Sequence, residues 1–226
     1  FIEAHRTSIA AAFRYIEDNL LRYGLLHGVD WRDSRPNLEG KALLGLNCFL
    51  YWAYMFSKQT EKANILSSRI HGWFWMERGG YYCDHKDTKE FDILGNALAL
   101  YSDIGLTEPL YYRERVDRVL TKLSSLESPY GYVERNVPLP PIASSEYEVM
   151  QRVGSDGLVF PFLTGHVIRA AYSLGVDHIA HREFEKLLSL SGNYEWYDPC
   201  TGHGGGSPDQ LWTSAALLDA AHILEK

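Results

Sequence analysis

The chain has 226 residues, of which 46% are apolar, and this composition supports one domain with a substantial core. Its formal net charge of −7 at pH 7 argues against a polyanionic partner such as nucleic acid. No apolar run approaches the roughly 18 residues that a membrane span needs, so we expect a cytoplasmic protein without a membrane partner. The three cysteines lack metal-ligand spacing, which predicts reduced thiols and no metal site.

Four times along the chain, a charged helix gives way to an aromatic, glycine-rich loop and then to an apolar helix. These apolar segments begin near Gly40, Phe91, Leu158 and Gln210. Their separation of roughly 50 to 65 residues is typical of helical-hairpin repeats. A helix surrounded by other helices can be apolar all round, whereas an outer helix needs only one apolar stripe. The alternation therefore predicts an all-α fold of concentric helices, an (α/α) toroid.

Periodicity and capping signals predict eight helices, of which the second, fourth, sixth and eighth form the inner layer. Their approximate ranges are 3–22, 38–56, 59–74, 91–102, 109–123, 158–174, 178–190 and 208–224. Strand signal is weak except at 79–83, where we expect a short ribbon. The longest irregular segment is about 124–154, and irregular segments of this length in compact domains often have a function.

Two of the loops that lead into inner helices place carboxylates beside tryptophan. Asp30 and Asp33 flank Trp31 before the second helix, and Glu195 precedes Trp196 before the eighth. Hydrolysis of a glycosidic bond requires one protonated and one ionised carboxyl group. Burial against an aromatic ring can raise the pKa of the acid. Acidic residues are common in loops, so this pattern alone leaves catalysis, binding and ordinary loop chemistry open.

At these loops the sequence resembles the six-hairpin glycosidases, the group of trehalase, processing α-glucosidase, neutral invertase and the amylo-α-1,6-glucosidase of glycogen-debranching enzyme. One match is Trp31-Arg32-Asp33. The more specific match begins at Glu195 with Glu-x-Tyr-Asp-Pro-x-Thr-Gly. A glycine tract follows, and the match ends with Trp-Thr-Ser-Ala-Ala at Ala216. Segments 91–96 and 157–162 resemble further inner helices of the group, so the resemblance covers essentially the whole chain.

The resemblance implies an (α/α)6 toroid of twelve helices, of which eight are predicted here. These would be the fifth to twelfth, so we expect residues 1–226 to be the C-terminal portion of a single catalytic domain. An upstream segment of the same protein would complete the ring. Without it, apolar inner surfaces would be exposed.

The resemblance also implies an inverting glycoside hydrolase with Asp33 as general acid and Glu195 as general base, their carboxyl groups about 6.5–9.5 Å apart. The implied substrate is an oligosaccharide or disaccharide with an α-glucosidic bond, as in debranching-type enzymes, and no cofactor is implied. The candidate substrate-binding residues are Asp30, Trp31, Arg32, Arg35, Tyr82, Glu134, Trp196, His203 and Trp212.

Several alternatives stay open. Asp30 competes with Asp33 for the acid role, or it binds a sugar hydroxyl or caps its loop. The arginines either bind sugar or form ion pairs, and the tryptophans either stack on sugar or pack in the core. Asp198 before a proline favours a turn. At the level of function, a trehalase- or invertase-type specificity, a non-catalytic carbohydrate-binding or regulatory toroid, and an α/α-toroid lyase or cyclase remain possible.

Overall fold

The computed structural model describes residues 4–32, 38–105, 109–134 and 157–225. Within these ranges there are eight α-helices: α1 (Arg6–Asn19), α2 (Leu44–Phe56), α3 (Thr60–Phe74), α4 (Ile93–Tyr101), α5 (Pro109–Ser124), α6 (Pro161–Ser173), α7 (Asp177–Ser189) and α8 (Leu211–Leu224). The strands are short: β1 (Leu21–Arg22), β2 (Leu25–Gly28), β3 (Lys41–Ala42), β4 (Trp75–Met76), β5 (Tyr81–Tyr82), β6 (Glu127–Ser128), β7 (Gly131–Glu134), β8 (Leu158–Val159), β9 (Trp196–Tyr197) and β10 (Gly204–Gly205).

The four predicted inner helices pack against one another in chain order and form an arc. Helix α2 contacts α4, α4 contacts α6, and α6 contacts α8, while α3 packs on α2 and α7 packs on α6 and α8. Helix α4 is buried at every position from Ile93 to Leu100, as expected for an inner helix. The prediction of an inner and an outer helical layer is thus confirmed. No described helix combines the length and apolar character needed to cross a membrane.

Strands are more frequent than the sequence predicted, and they delay the start of two inner helices. The expected ribbon forms between β4 and β5, but β1, β2 and β3 also pair, and β6 to β10 form a five-stranded sheet. The second helix therefore begins at Leu44 instead of near Leu38, because Lys41 and Ala42 pair with β2. The sixth begins at Pro161, since Leu158 and Val159 pair with β7.

A buried asparagine in the first turn of α2, and another in α4, binds the strand ahead of its helix. The Asn47 side chain accepts a hydrogen bond from the Leu26 N–H and donates to the Leu26 carbonyl. Asn96 makes the same pair of bonds with the backbone of Tyr82. One amide side chain thereby satisfies both backbone groups of a buried strand residue, which would otherwise be costly to bury.

Threonines make related bonds in the next two hairpins. The Thr164 hydroxyl, in the first turn of α6, accepts from the Tyr132 N–H of β7. The Thr213 hydroxyl, in the first turn of α8, donates to the carbonyl of Tyr194, just ahead of β9. We call these four side chains the strand anchors. They hold the strands and their loops to one end of the arc, the mouth, where α2, α4, α6 and α8 begin.

The two end helices of the arc expose apolar side chains. On α8, Leu211 and Leu218 are 78% and 73% exposed, and the exposed Ala215 lies between them on the same face. Helix α2 exposes Phe49 and Phe56. No residue that the structure describes covers these faces, so the arc has two uncovered apolar edges.

Replacing Asn96 by alanine should destabilise the protein strongly, because it leaves the buried N–H and C=O of Tyr82 without their partner. Each unsatisfied group costs about 1–3 kcal/mol. The control is Asn64→Ala on the exposed face of α3, which should change stability by less than about 0.5 kcal/mol. Urea denaturation of both variants measures the difference, and equal effects would contradict the anchoring role.

Candidate active site

Five ionisable side chains gather at the mouth and form the acidic cluster, defined here as Asp30, Arg32, Asp84, Asp92 and Glu134. Asp30 follows β2, Asp84 follows β5, Glu134 ends β7, and Asp92 is the N-cap residue of α4. All members of the cluster except Asp30 are at most 2% exposed. Because successive hairpins place their connecting loops at the same end of the arc, residues far apart in sequence meet here.

Arg32 is the centre of the cluster. Its Nη2 donates to Asp30 Oδ2 at 2.6 Å and to Asp84 Oδ1 at 2.8 Å. Its Nη1 donates to Asp84 Oδ2 at 3.1 Å, and Nε donates to Asp30 Oδ1 at 3.2 Å. Burial alone would lower the pKa of the guanidinium, but the charges of Asp92, Asp30 and Asp84 outweigh it and raise that pKa. Of the two roles expected for Arg32, the structure shows the ion pair.

Asp30 shapes its own loop. Besides its two bonds with the guanidinium, its Oδ1 accepts from the backbone N–H of Arg32 at 2.9 Å. Both carboxylate oxygens are therefore engaged with the same residue. Of the roles expected for Asp30, this geometry corresponds to the capping one.

Asp92 is the member of the cluster that sequence reasoning did not select. Neither of its oxygens accepts a hydrogen bond from any described residue. A Cβ atom added at Gly95 would lie 2.5 Å from Asp92 Oδ2, and one at Gly45 would lie 3.4 Å away, so two helical glycines make room for the carboxyl group. Burial raises the pKa of Asp92 to about 8, against the attraction of Arg32 and with help from nearby carboxylates. The carboxyl group is therefore largely protonated at neutral pH.

The ionisation of Asp92 should make stability depend on pH. Its pKa is about 8 in the folded state and 3.8 ordinarily, so between these values the folded chain holds a proton that the unfolded chain has lost. Stability should thus fall as pH rises through this interval, by up to about 1.4 kcal/mol per unit. Asp92→Asn removes this titration. Denaturation of both proteins from about pH 5 to about pH 9 should show the wild type losing stability relative to the variant, and parallel curves would contradict a protonated Asp92.

Glu195 lies in the loop before β9 and is half-buried. Its Oε2 accepts from the Ser207 N–H at 3.1 Å, and its backbone N–H donates to the Ser207 carbonyl. Glycines shape this loop: a Cβ atom at Gly206 would lie 2.7 Å from Glu195 Oε2, and one at Gly205 would lie 2.2 Å from the Trp196 ring. The glycine tract therefore gives the carboxylate and the indole the space they occupy.

Gly206→Ala should lower stability by more than the backbone strain of a positive φ alone, because the added methyl group would clash with Glu195. Gly206 and Gly175 have φ values of +73° and +70°, but a Cβ atom at Gly175 would meet nothing within 4 Å. Gly175→Ala is thus a matched control for backbone strain alone. We expect the Gly206 variant to be the less stable of the two in thermal denaturation. If the two variants lose stability equally, the contact with Glu195 imposes no packing constraint.

Aromatic rings border the acidic cluster. The Trp31 ring meets Phe160 and Phe162 edge-on, at centroid distances of 4.9 Å and 5.1 Å, and Phe162 stacks on Trp212 at 4.7 Å. The indole N–H groups of Trp31 and Trp212 are buried and donate to no described residue. Trp31 was expected either to stack on sugar or to pack in the core; its ring packs on Phe160 and Phe162, and stacking on sugar stays a prediction.

The same rings connect the two acidic loops. Val159 pairs with Tyr197 in antiparallel register, which places Phe160 opposite Trp196. Phe160 in turn contacts Trp31, the residue before Arg32. The pairing of β8 with β9 and the contact of Phe160 with Trp31 therefore link the Glu195 loop to the Arg32 loop.

The remaining predicted site residues have diverse positions. The Tyr82 hydroxyl donates to the carbonyl of Ile104, beyond the C-terminal end of α4 and so away from the mouth. His203 is exposed. Asp198 Oδ1 accepts from the N–H groups of Cys200 and Thr201, which confirms the predicted turn.

Asp33 and Arg35 lie outside the described residues. The expected separation of the Asp33 and Glu195 carboxyl groups therefore stays a prediction. Within the described ranges, no group of three or more His, Cys, Asp or Glu side chains is placed to hold a metal ion.

These helices form part of a six-hairpin (α/α)6 toroid, the fold of several glycoside hydrolases. No protein-family model matches the chain, and no curated protein matches it in sequence. Among solved structures, it is similar to the GH63 mannosylglycerate hydrolase from Thermus thermophilus in complex with glucose, with TM-score 0.56 and 17% identity over 84% of this chain and 50% of that one.

Two further solved structures share the fold. An uncharacterized conserved protein from Thermus thermophilus matches with TM-score 0.59 and 18% identity, over 95% of this chain and 55% of that one. Neutral trehalase from Saccharomyces cerevisiae matches with TM-score 0.53 and 15% identity, over 88% of this chain and 40% of that one. The chain thus spans about half the length of the first of these structures. The recognition of a six-hairpin toroid from the sequence motifs is confirmed at the level of the fold.

Proposed function

We propose that the protein is an inverting glycoside hydrolase that acts on α-glucosidic bonds of the debranching type. Glu195 is the general base in this proposal, and its loop is the observation that carries it. The Ser207 N–H holds Oε2, whereas no described residue is a partner for Oε1. A half-buried carboxylate oriented through one oxygen keeps the other available to take a proton from water.

Asp33 is the proposed general acid. The competing candidate, Asp30, has both oxygens hydrogen-bonded to Arg32, which holds its side chain against its own loop. Asp33 follows Arg32 directly in the sequence, and Arg32 is anchored by its ion pairs with Asp30 and Asp84. In an inverting reaction it would protonate the departing glycosidic oxygen while Glu195 activates water on the opposite face.

The substrate in this proposal is an oligosaccharide or disaccharide, and the described residues support a mouth that could receive it. His203 is exposed in the same loop as Glu195, Trp31 is half-buried, and Trp196 and Glu134 are buried. We retain these residues, with Arg35, as candidate substrate contacts. The mannosylglycerate hydrolase and the trehalase show that the same fold hosts glycoside hydrolysis in other proteins.

We further propose that an upstream segment of the same protein completes the ring. The support is physical: Leu211 and Leu218 of α8 and Phe56 of α2 are more than 70% exposed on inner helices. Helices of the same kind would bury these faces, just as α4 and α6 bury each other. Full activity would then require the completed ring.

A non-catalytic carbohydrate-binding toroid is the second candidate. It is favoured by the open arc, because sugar binding needs only the aromatic rings beside the acidic cluster, whereas catalysis also needs an acid that faces Glu195. The two candidates differ in a single measurement. The chain, alone and with its natural flanking sequence, is incubated with trehalose, sucrose, maltose, isomaltose and limit dextrin, and the product anomer is followed by NMR. Release of glucose with inverted anomeric configuration supports the hydrolase, whereas binding of a saccharide without release of glucose supports the second candidate.

The carboxylate roles predict a dependence on the leaving group. Asp33→Asn and Glu195→Gln should each lower turnover of a natural glycoside by about 10²–10⁴-fold. A glycosyl fluoride of the correct anomer needs little acid assistance, so Asp33→Asn should keep much more activity on it, while Glu195→Gln should lose activity on both substrates. Asp30→Asn is the control for the neighbouring carboxylate. If only the Asp30 variant shows the leaving-group effect, the acid is misassigned by three residues.

A further inference from the structure

Arg32 connects two consecutive hairpins at the mouth of the arc. Its partner Asp30 lies just beyond β2, in the segment that leads to α2, and its partner Asp84 lies just beyond β5, in the segment that leads to α4. The two aspartates thus occupy corresponding positions in neighbouring hairpins. The side chain that joins them is fully buried, with 0% of its surface exposed.

This connection depends on the shape of the guanidinium. Nε and Nη2 face Asp30, while Nη1 and Nη2 face Asp84, so one planar group makes two-pronged bonds in two directions. A lysine ammonium carries the same charge but lacks this fork. Asp92 lies in the same cluster without a hydrogen bond from a described residue, and in its neutral form it adds no third anion for Arg32 to neutralise.

Arg32 also bears on the aromatic rings. Its guanidinium carbon lies 5.8 Å from the centre of the Trp31 ring, and that ring packs on Phe160 at the start of the next inner helix, α6. The loop after β2 is therefore tied by ion pairs to the second hairpin of the arc and by ring packing to the third. Movement of Arg32 would loosen both connections.

We propose that Arg32 is a positioning residue of the candidate site: by tying Asp30 to Asp84 it fixes the loop from which Asp33 follows. The kinetic part of this inference rests on the proposed hydrolase function. The structural part, that Arg32 immobilises the loop after β2, does not depend on it.

Hydrogen exchange tests the structural part without any assay of activity. Arg32→Gln and Asp84→Asn should both accelerate amide exchange in the segment around Trp31, since each removes part of the link between the hairpins. Arg32→Gln leaves the buried Asp84 carboxylate without its cation. The double variant also removes that charge, so it keeps the test possible if Arg32→Gln does not fold. Arg169→Gln is the control, because Arg169 makes a two-pronged pair with Asp219 between α6 and α8, in a partly exposed position away from the cluster. If amide exchange around Trp31 is unchanged in Arg32→Gln and Asp84→Asn, the proposal is overturned.

Kinetics test the positioning role in the active protein. Displacement of a catalytic group by about 1 Å can cost about 10²-fold in rate. We therefore expect Arg32→Gln to lower kcat on a natural glycoside by about that factor, with a smaller change in KM and a smaller loss on the glycosyl fluoride. Arg32→Lys should recover only part of kcat, whereas Arg169→Gln should leave kcat near the wild-type value.

The outcomes separate the two proposals. If the wild type cleaves no glycoside, the hydrolase function and with it the kinetic role of Arg32 are rejected, while the exchange result still decides whether the loop is fixed. If the wild type is active but Arg32→Gln keeps its kcat, or loses activity equally on glycoside and fluoride, Arg32 does not position the acid.

Discussion

The structure depends on how the strands at the mouth satisfy their buried backbone groups. These strands are too short to form extended ladders, so their N–H and C=O groups need partners from elsewhere. Asn47 and Asn96 supply both a donor and an acceptor to one strand residue each. Thr164 and Thr213 make one bond each in the later hairpins. Every loop that contributes to the candidate site is thereby held to the inner helix that follows it.

The acidic cluster shows how a buried site manages an excess of negative charge. Four carboxyl groups surround one guanidinium, and Arg32 uses its donors on two of them. Coulombic repulsion in a medium of low dielectric would make further ionisation costly. Asp92 relieves this repulsion by keeping its proton at neutral pH. The neutral carboxyl group of Asp92 and the ion pairs of Arg32 thus both limit the repulsion within the cluster.

Much of the helical architecture could be predicted from the sequence, because the segment from Ile93 to Leu100, apolar or small at every position except Asn96, has few alternatives to an inner helix. The strands could not, since two-residue strands such as Leu158–Val159 are too short to show alternation and read as the first turn of the next helix. The turn role of Asp198 could be predicted because Asp before Pro has a local effect.

The details of the site depended on contacts that no local pattern contains. The pairing of Arg32 with Asp84 joins residues of different hairpins. Asp92 was hidden at the start of an apolar segment, although an acidic residue in such a segment is itself a signal worth weighing. The glycine tract after Asp198 was recognised as a motif, but its fit to Glu195 and Trp196 required coordinates.

The apolar face of α8 places this arc among repeat structures that lack a cap. In solenoids, where each unit mainly contacts its neighbours, the outermost units carry a polar surface that keeps the array soluble. Leu211, Ala215 and Leu218 give α8 the opposite character. Further helices can pack against such an edge, and without them the exposed apolar face would favour aggregation at high protein concentration.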